Sequence, residues 1–367
     1  MTGLTIGLSL SPTWLRGGAW RDPSSGIEDL LSGELFIRAA QLAEQAHMDF
    51  VFKPDALLLK KEPLVTWPGF TGLDPVVMMS VIARETHSIG LVPTFSSSFT
   101  QPYFVARETQ SLNHISRGRA GWNVVTSLGG KDNFVGVEQR TSVELYQDAQ
   151  DYVETVRRLW GSYPASAIVL DRHQGIFAKP ELVRPISSPG VFDVAGPLTV
   201  PAYDDHPLPL LHAGGSAQSK HCAARYADAV FAMNATTESG VALKEELAEL
   251  AEREGREPTA VRVLPGLSLC LASNREKAED LAAQSFDSYA PGHVKHWSVV
   301  GTPSDAVEAI VRRYEAGGAD GFIALPAGSW NSLQLLVDEV IPRLAELGLF
   351  RSEYHSHTLR GHLGMGE

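Results

Sequence analysis

The sequence predicts an α/β fold of the (β/α)8 type, a TIM barrel. Eight apolar segments, too continuous to alternate cleanly between two faces, are each followed by a helical stretch. Such strands are typical of a parallel sheet buried on both sides, and eight units in series close most economically into a barrel. The 367 residues fit one barrel as well as two average domains. A doubly wound sheet is the structural alternative, but it rarely needs eight consecutive units.

The first four strand–helix units fill the amino-terminal half. Strands are predicted at residues 5–11, 50–54, 89–96 and 119–126. The helices follow at 34–47, after the N-cap pair Asp74-Pro75, at about 102–114 and at 143–160. The fourth helix is the clearest, because its apolar residues recur at i, i+4, i+7 and i+11 and form one stripe.

A segment rich in proline and glycine, about residues 162–207, follows the fourth helix. It has strand-like pieces at 167–170 and 191–194 and no helical period, so we interpret it as an inserted excursion of a single 1–367 domain. The remaining strands are predicted at 208–213, 228–233, 261–272 and 320–325. Helices are predicted at 216–226, 239–253, 274–290, from 302 and at 331–347. A polar tail covers about 348–367.

Composition excludes several classes of protein. The formal net charge of −12 argues against a nucleic-acid binder, which needs a basic face. No apolar run reaches the roughly 18 residues of a membrane span, and the N-terminus lacks the pattern of a secretory leader. The two cysteines, Cys222 and Cys270, have neither disulfide-framework nor metal-ligand spacing. We therefore expect a cytoplasmic protein without a metal.

The chemistry of a barrel lies at the carboxyl ends of its strands. There the sequence offers one carboxylate, Asp55, and one imidazole, His212, which is too little for a metal-dependent hydrolase. The doublet His355 and His357 falls in the tail, where a solvated surface is the simpler interpretation. Hydroxyls, amides, glycines and aromatic rings dominate instead, and they suit a cofactor with a flat ring, a polar edge and a phosphate.

The segment AGGSAQS at 213–219 joins the fifth strand to a helix. Gly214 and Gly215 allow close approach to the backbone, and Ser216 is a typical N-cap. The free N–H groups and the positive end of the helix dipole form an anion site. An ordinary strand-to-helix turn with a serine cap fits the same pattern. Likewise, Asp55, Thr94 and Asn123 would suit either a ring edge or local backbone contacts.

Taken together, the segments resemble the bacterial-luciferase-like flavin monooxygenases. The resemblance is to the branch that contains nitrilotriacetate, EDTA and dibenzothiophene-sulfone monooxygenases. It covers nearly the whole chain in order and is carried most specifically by SLNHISRGRAGWNVVTS (111–127), HAGGSAQSKHCAARYADAVF (212–231) and PRLAELGLFRSEYHSHTLRGHLG (342–364).

The resemblance implies reduced FMN, supplied by a separate NAD(P)H-dependent flavin reductase, and dioxygen as co-substrate. By position, the polar ring edge would be contacted by Asp55, Thr94 and Asn123. The phosphate would be contacted by Tyr146, Tyr152, Gly215 and Ser216. A hydroxylated carbon next to nitrogen or sulfur would then collapse with C–N or C–S cleavage. A dimer or tetramer is expected.

Two departures from the family pattern lie near the anion site. His212 stands where glutamine is usual, and Ser219 stands where glycine is common. As the one imidazole at a predicted strand end, His212 is a candidate catalytic proton donor, or else it packs or binds phosphate. The candidate substrate pocket, or simple packing, comprises Trp14, Trp20, Phe52, Phe99 and Trp330. The chain is also shorter than typical members, which predicts a different substrate.

The predicted function is therefore a two-component FMN-dependent monooxygenase acting on a small organic molecule. Three alternatives remain: a deazaflavin- or flavin-dependent oxidoreductase that transfers hydride, a phosphate-binding aldolase or isomerase, and a non-catalytic flavin-binding barrel. The aldolase would need a lysine or an acid–base pair at a strand end, and Lys53 is the one lysine near such a position.

Overall fold

The computed structural model describes residues 3–126, 129–134, 140–187, 190–286 and 296–366. Its strands are β1 (Thr5–Ser9), β2 (Phe50–Lys53), β3 (Gly90–Ser96), β4 (Trp122–Val125), β5 (Ile168–Asp171), β6 (Ile176–Ala178), β7 (Leu210–Ala213), β8 (Ala229–Ala232), β9 (Arg262–Leu271), β10 (Trp297–Gly301) and β11 (Gly321–Pro326). Its α-helices are α1 (Glu34–Gln45), α2 (Pro75–Glu85), α3 (Pro102–Ser116), α4 (Ser142–Gly161), α5 (Ala217–Tyr226), α6 (Thr237–Arg253), α7 (Arg275–Phe286), α8 (Pro303–Glu315), α9 (Trp330–Leu335), α10 (Ile341–Glu346) and α11 (Leu359–His362).

Eight of the strands form a closed parallel barrel. The order β9–β11–β1–β2–β3–β4–β7–β8 returns to β9, and the helices surround it. The TIM-barrel prediction is thus confirmed, and each barrel strand falls within a predicted segment, except that β11 ends at Pro326, one residue beyond the predicted 320–325. Helix starts are also as predicted: the Asp74 side chain accepts hydrogen bonds from the backbone N–H of Val76 and Val77, and Ser216 caps α5. None of the described helices is long and apolar enough to cross a bilayer.

Three details of the predicted chain differ from the structure. The strand β10 is missing from the prediction; it pairs with the second half of β9, beyond the end of β8. Residues 191–194, predicted to be strand-like, are irregular, whereas the piece at 167–170 does contribute to the antiparallel hairpin β5–β6. The helix predicted to 290 is described to Phe286, and residues 287–290 lie outside the described part.

Side chains of the barrel strands alternate between two apolar clusters. Phe50 and Phe52 of β2 point into the barrel, where they join Val92, Leu211 and Ile323. The intervening Val51 belongs to the larger cluster between the barrel and its helices. This alternation decides which strand-end side chain faces the barrel mouth and which faces the helices.

The tail packs against the base of the barrel instead of lying in solvent. Leu359 and Leu363 are buried in the interior cluster. Room for Leu359 exists because Gly90 and Gly121 lack side chains: a Cβ at either would lie 2.5 or 2.7 Å from a Leu359 methyl carbon. His355 and His357 are exposed, as expected, but the prediction of a polar tail is wrong for the residues that close the barrel.

Leu359 acts as a plug at the base of the barrel, and shortening its side chain should destabilise the protein. We expect Leu359→Ala to lower the free energy of unfolding by about 2–5 kcal/mol, because a fully buried leucine leaves a cavity. Urea denaturation followed by tryptophan fluorescence measures the loss. Leu347→Ala, at an exposed leucine, is the matched control and should change it by less than about 0.5 kcal/mol. Equal effects of the two substitutions would contradict the plug.

Candidate functional site

The inner wall of the barrel mouth carries a buried polar pair on neighbouring strands. Thr94 of β3 and Asn123 of β4 are in register, and the Asn123 Nδ2 donates to the Thr94 Oγ1 at 3.0 Å. Both side chains are buried. The other amide atom, Asn123 Oδ1, is buried without a hydrogen-bond partner among the described residues. An orphaned acceptor costs about 1–3 kcal/mol, so this wall is built to receive a hydrogen-bond donor.

Aromatic rings from β2 and β8 also face the barrel interior. Phe52 packs against Phe231 of β8 with ring centroids 5.6 Å apart. Phe231 in turn stacks on His296, also at 5.6 Å and with an interplanar angle of 23°. Phe52 thus points into the barrel, whereas the next residue of the strand, Lys53, points outward. The Phe52 ring forms the floor of the mouth. A flat apolar ligand would rest on these rings with its polar edge towards Asn123.

His296 is a site residue that the sequence analysis did not identify. Its Nδ1 is buried without a partner among the described residues. Burial, and secondarily the nearby Arg16, lower its pKa to about 4, so the imidazole is neutral at physiological pH. It immediately precedes β10, a strand that the sequence pattern does not indicate. A neutral imidazole above Phe231 offers a hydrogen-bonding group to a molecule in the mouth.

The predicted anion site lies at the carboxyl end of β7, where the strand meets α5. Gly214 adopts a positive φ of 153°, and a Cβ there would lie 2.3 Å from Ser219 Oγ and 3.0 Å from Tyr146 Oη. Gly215, by contrast, faces open space. The Ser216 Oγ accepts from the backbone N–H of Ser219 at 3.2 Å, which leaves its hydroxyl proton available. The geometry fits an anion lying against Gly215 and Ser216.

The two tyrosines predicted to reach this anion differ in position. Tyr146 is partly buried, and its hydroxyl lies beside Gly214, as a phosphate contact requires. Tyr152 is wholly buried and its hydroxyl is 2.7 Å from Thr100 Oγ1. Six residues of helix rotate the side chain by about 600°, which turns Tyr152 to a different face of α4. This environment favours a packing role for Tyr152 next to the start of α3, and its phosphate contact stays a prediction.

His212 points away from the mouth. Its neighbour Leu211 faces the barrel interior, so the imidazole lies between β7 and the helices α4 and α5. Its Nδ1 is 2.9 Å from the Val124 carbonyl oxygen and its Nε2 is 2.9 Å from Ser219 Oγ. Burial lowers its pKa to about 4. A neutral ring with both nitrogens engaged does not suit the predicted catalytic proton donor, and the position favours a structural role at the anion site.

The burial of His212 gives a pH prediction. A folded pKa of about 4 lies below the unfolded value of about 6.5, so its stabilising contribution is complete above pH 6.5 and is lost towards pH 4. Over this range the wild type should lose on the order of 3 kcal/mol more unfolding free energy than His212→Gln. Denaturant titrations at several pH values measure this. His87→Gln, at an exposed histidine, is the control; equal pH slopes for all three proteins would refute the prediction.

The remaining predicted pocket residues divide between core and rim. Trp14 is fully buried and meets the half-buried Trp330 edge-on at 5.5 Å, so it is a packing residue rather than an open pocket wall. Trp20 donates its ring N–H to the Thr66 carbonyl and thereby tethers the loop after β2. Phe99, half-buried, stacks on Phe134 at 4.4 Å. Asp55 is exposed just beyond β2, and its contact with a ring edge stays a prediction.

Together these features define a barrel whose mouth can accept a flat ring with a polar edge and whose turn between β7 and α5 can accept an anion. Within the described residues no group of three or more potential metal-ligating side chains occurs. A site for a flat ring together with a separate site for an anion fits a flavin mononucleotide. The model of the luciferase-like monooxygenase family matches residues 24–298, and the chain belongs to this family of flavin-dependent monooxygenases.

Two curated relatives and one solved structure illustrate the similarity. The dibenzothiophene-sulfone monooxygenase of Rhodococcus erythropolis is 30% identical over 425 aligned positions, which cover 95% of this chain and 93% of the relative. The N-acetyl-S-(2-succino)cysteine monooxygenase of Bacillus subtilis (strain 168) is 28% identical over 429 positions, which cover 99% and 96%. A riboflavin lyase structure with modified FMN and riboflavin superposes with a TM-score of 0.89 at 25% identity, covering 100% and 96%. Because these alignments exceed 367 positions, the relatives carry insertions that this chain lacks.

Proposed function

We propose that the chain is the oxygenase component of a two-component system that oxidises a small organic substrate with reduced FMN and dioxygen. The observation that carries the proposal is the orphaned Asn123 Oδ1 in the mouth of a luciferase-like barrel. It is an acceptor facing the position where a flavin ring would present an N–H group. Thr94 fixes the orientation of the amide, because its hydroxyl oxygen accepts a hydrogen bond from the Asn123 Nδ2.

Three groups of residues would contact three parts of the cofactor. Asn123 and Thr94 would hold the polar edge of the ring, with Asp55 at the rim, and Phe52 and Phe231 would support its apolar face. The phosphate would lie against Gly215, Ser216 and Tyr146. When bound, reduced FMN supplies the electrons that activate dioxygen.

The protein contributes orientation and exclusion of water instead of a nucleophile. This agrees with a mouth whose imidazole, His296, is neutral and whose wall is amide and hydroxyl. The substrate would enter above the ring and meet His296. The names of the two curated relatives both concern organosulfur compounds, and we propose a substrate with carbon bound to sulfur or nitrogen, oxidised with cleavage of that bond.

An activity assay tests the proposal. The purified chain is mixed with FMN, a flavin reductase and NADH, and products from a panel of sulfur and nitrogen compounds are identified by mass spectrometry with 18O2. We expect 18O-dependent conversion of at least one compound class and binding of reduced FMN in preference to a reduced deazaflavin. Preference for the deazaflavin would favour hydride transfer, and FMN binding without any substrate oxidation would favour a non-catalytic barrel.

We further propose that the chain forms a homo-oligomer through α2 and α3. Val77 and Val81, one turn apart on α2, are exposed, as are Phe104 and Ile115, about three turns apart on the neighbouring α3. Two adjacent apolar stripes suit a second copy of the same face. Light scattering should show that Val81→Asp lowers the molar mass to that of the monomer, whereas Val143→Asp on α4 leaves it unchanged. A monomeric wild type would refute this interface.

A further inference from the structure

We propose that His212 and Ser219 are a positioning pair that shapes the turn binding the FMN phosphate and so gives the protein its preference for FMN over riboflavin. This inference rests on the proposed function, because it assigns a role within the same cofactor site. Both residues are buried, and neither lies within the barrel mouth. Their contribution is therefore to the phosphate end of the cofactor and not to the reacting ring.

The direction of the hydrogen bonds follows from their partners. A carbonyl oxygen only accepts, so the His212 Nδ1 carries the ring proton and donates to Val124. With the imidazole neutral, the His212 Nε2 is then an acceptor, and the Ser219 hydroxyl must donate to it. The Ser219 hydroxyl proton is thereby committed to His212, which fixes the orientation of the Ser219 side chain.

This chain of bonds connects three elements that border the turn. It runs from the β4 backbone through the β7 side chain to the third residue of α5. The hydrogen bond to His212 fixes the position of the Ser219 Oγ. A side chain would not fit at residue 214, because its Cβ would lie only 2.3 Å from this oxygen. The Ser219 Oγ therefore lies close to the Gly214 backbone, on the same side as the Tyr146 Oη.

The backbone of Ser219 performs a second function at the same place. Its N–H donates to the Ser216 Oγ, so the position of Ser219 also sets the position of the hydroxyl proposed to meet the phosphate. Loss of the His212 bond would release Ser219, and with it Gly214 and Ser216. We expect the phosphate contacts to weaken while the ring contacts of Thr94 and Asn123 remain.

The affinity ratio of riboflavin to FMN isolates this effect, because both molecules share the ring and differ in the phosphate. Dissociation constants are measured by fluorescence for the wild type, Ser219→Ala, His212→Phe and the double variant. We expect FMN binding to weaken at least 10-fold in each single variant and riboflavin binding to change less than twofold. The double variant should be no weaker than the singles, because the two residues act as one unit.

Ser239→Ala is the matched control. Ser239 is the third residue of α6, as Ser219 is of α5, and its backbone N–H likewise donates to the N-cap side chain, here that of Thr236. It should leave both affinities unchanged. Retained riboflavin binding shows that a variant is folded. An unchanged FMN preference in Ser219→Ala refutes the pair and leaves the phosphate site intact. A wild type without preference for FMN refutes the proposed phosphate site, and the role of the pair with it.

Discussion

Ser216→Asp is expected to weaken FMN binding at least 100-fold and to leave riboflavin binding within about twofold. Aspartate is as good an N-cap as serine, so α5 should keep its stability. The new carboxylate, however, would lie against the phosphate at a site where the helix dipole and a hydroxyl were available before. At about 4 Å, two like charges repel by roughly 1 kcal/mol in water and about 4 kcal/mol near a protein surface, and the phosphate carries up to two charges.

The control for this substitution is Thr236→Asp, which places the same charge at the N-cap of α6. It changes net charge equally and should leave FMN binding unaffected. Equal losses in the two variants would mean that the effect is one of general charge. Unchanged FMN binding in Ser216→Asp would place the phosphate elsewhere on the protein.

Arg351→Met, at the base of the barrel, is expected to lower the free energy of unfolding by about 3–5 kcal/mol. The Arg351 guanidinium forms an ion pair with Asp49, which is fully buried below β2. The other carboxylate oxygen of Asp49 accepts from the backbone N–H of Ile6 at 2.6 Å. Burial raises the pKa of Asp49 to about 6 even beside this arginine, so removing the arginine leaves a buried charge or forces protonation.

Denaturant unfolding of Arg351→Met measures this loss, and two further variants interpret it. Arg312→Met removes an exposed i,i+4 ion pair with Glu308 and should cost less than about 1 kcal/mol. Adding Asp49→Asn to Arg351→Met should recover part of the loss, because asparagine keeps an acceptor for Ile6 without the charge. An Arg351→Met variant as stable as Arg312→Met would show that the ion pair between Arg351 and Asp49 does not stabilise the packing of the tail against the barrel.

Local signals in the sequence predict much of this molecule. The strand–helix alternation predicts the barrel, and the caps Asp74 and Ser216 mark helix starts correctly, because capping depends on neighbouring residues. The positions of two candidate site residues also follow from local spacing: alternation with Leu211 turns His212 outward, and six-residue spacing places Tyr152 on a different face of α4 from Tyr146.

Other features depend on contacts that sequence periodicity does not encode. The tail leucine Leu359 fits beneath β3 and β4 because distant glycines leave room for it. The strand β10 is short and extends only one edge of β9, so its few apolar residues resemble a loop, and His296 was missed with it. The orphaned Asn123 acceptor depends on the orientation of its amide, which the contact with Thr94 sets and no sequence pattern indicates.

We propose that this barrel holds FMN with the ring edge at Asn123 and the phosphate at Gly215 and Ser216. A crystal structure of the FMN complex would measure both contacts. We expect a flavin N–H group within about 3.2 Å of the Asn123 Oδ1, and phosphate oxygens at similar distance from the Ser216 hydroxyl. A flavin bound with its phosphate away from the start of α5, or with the Asn123 Oδ1 still unpartnered, would contradict it.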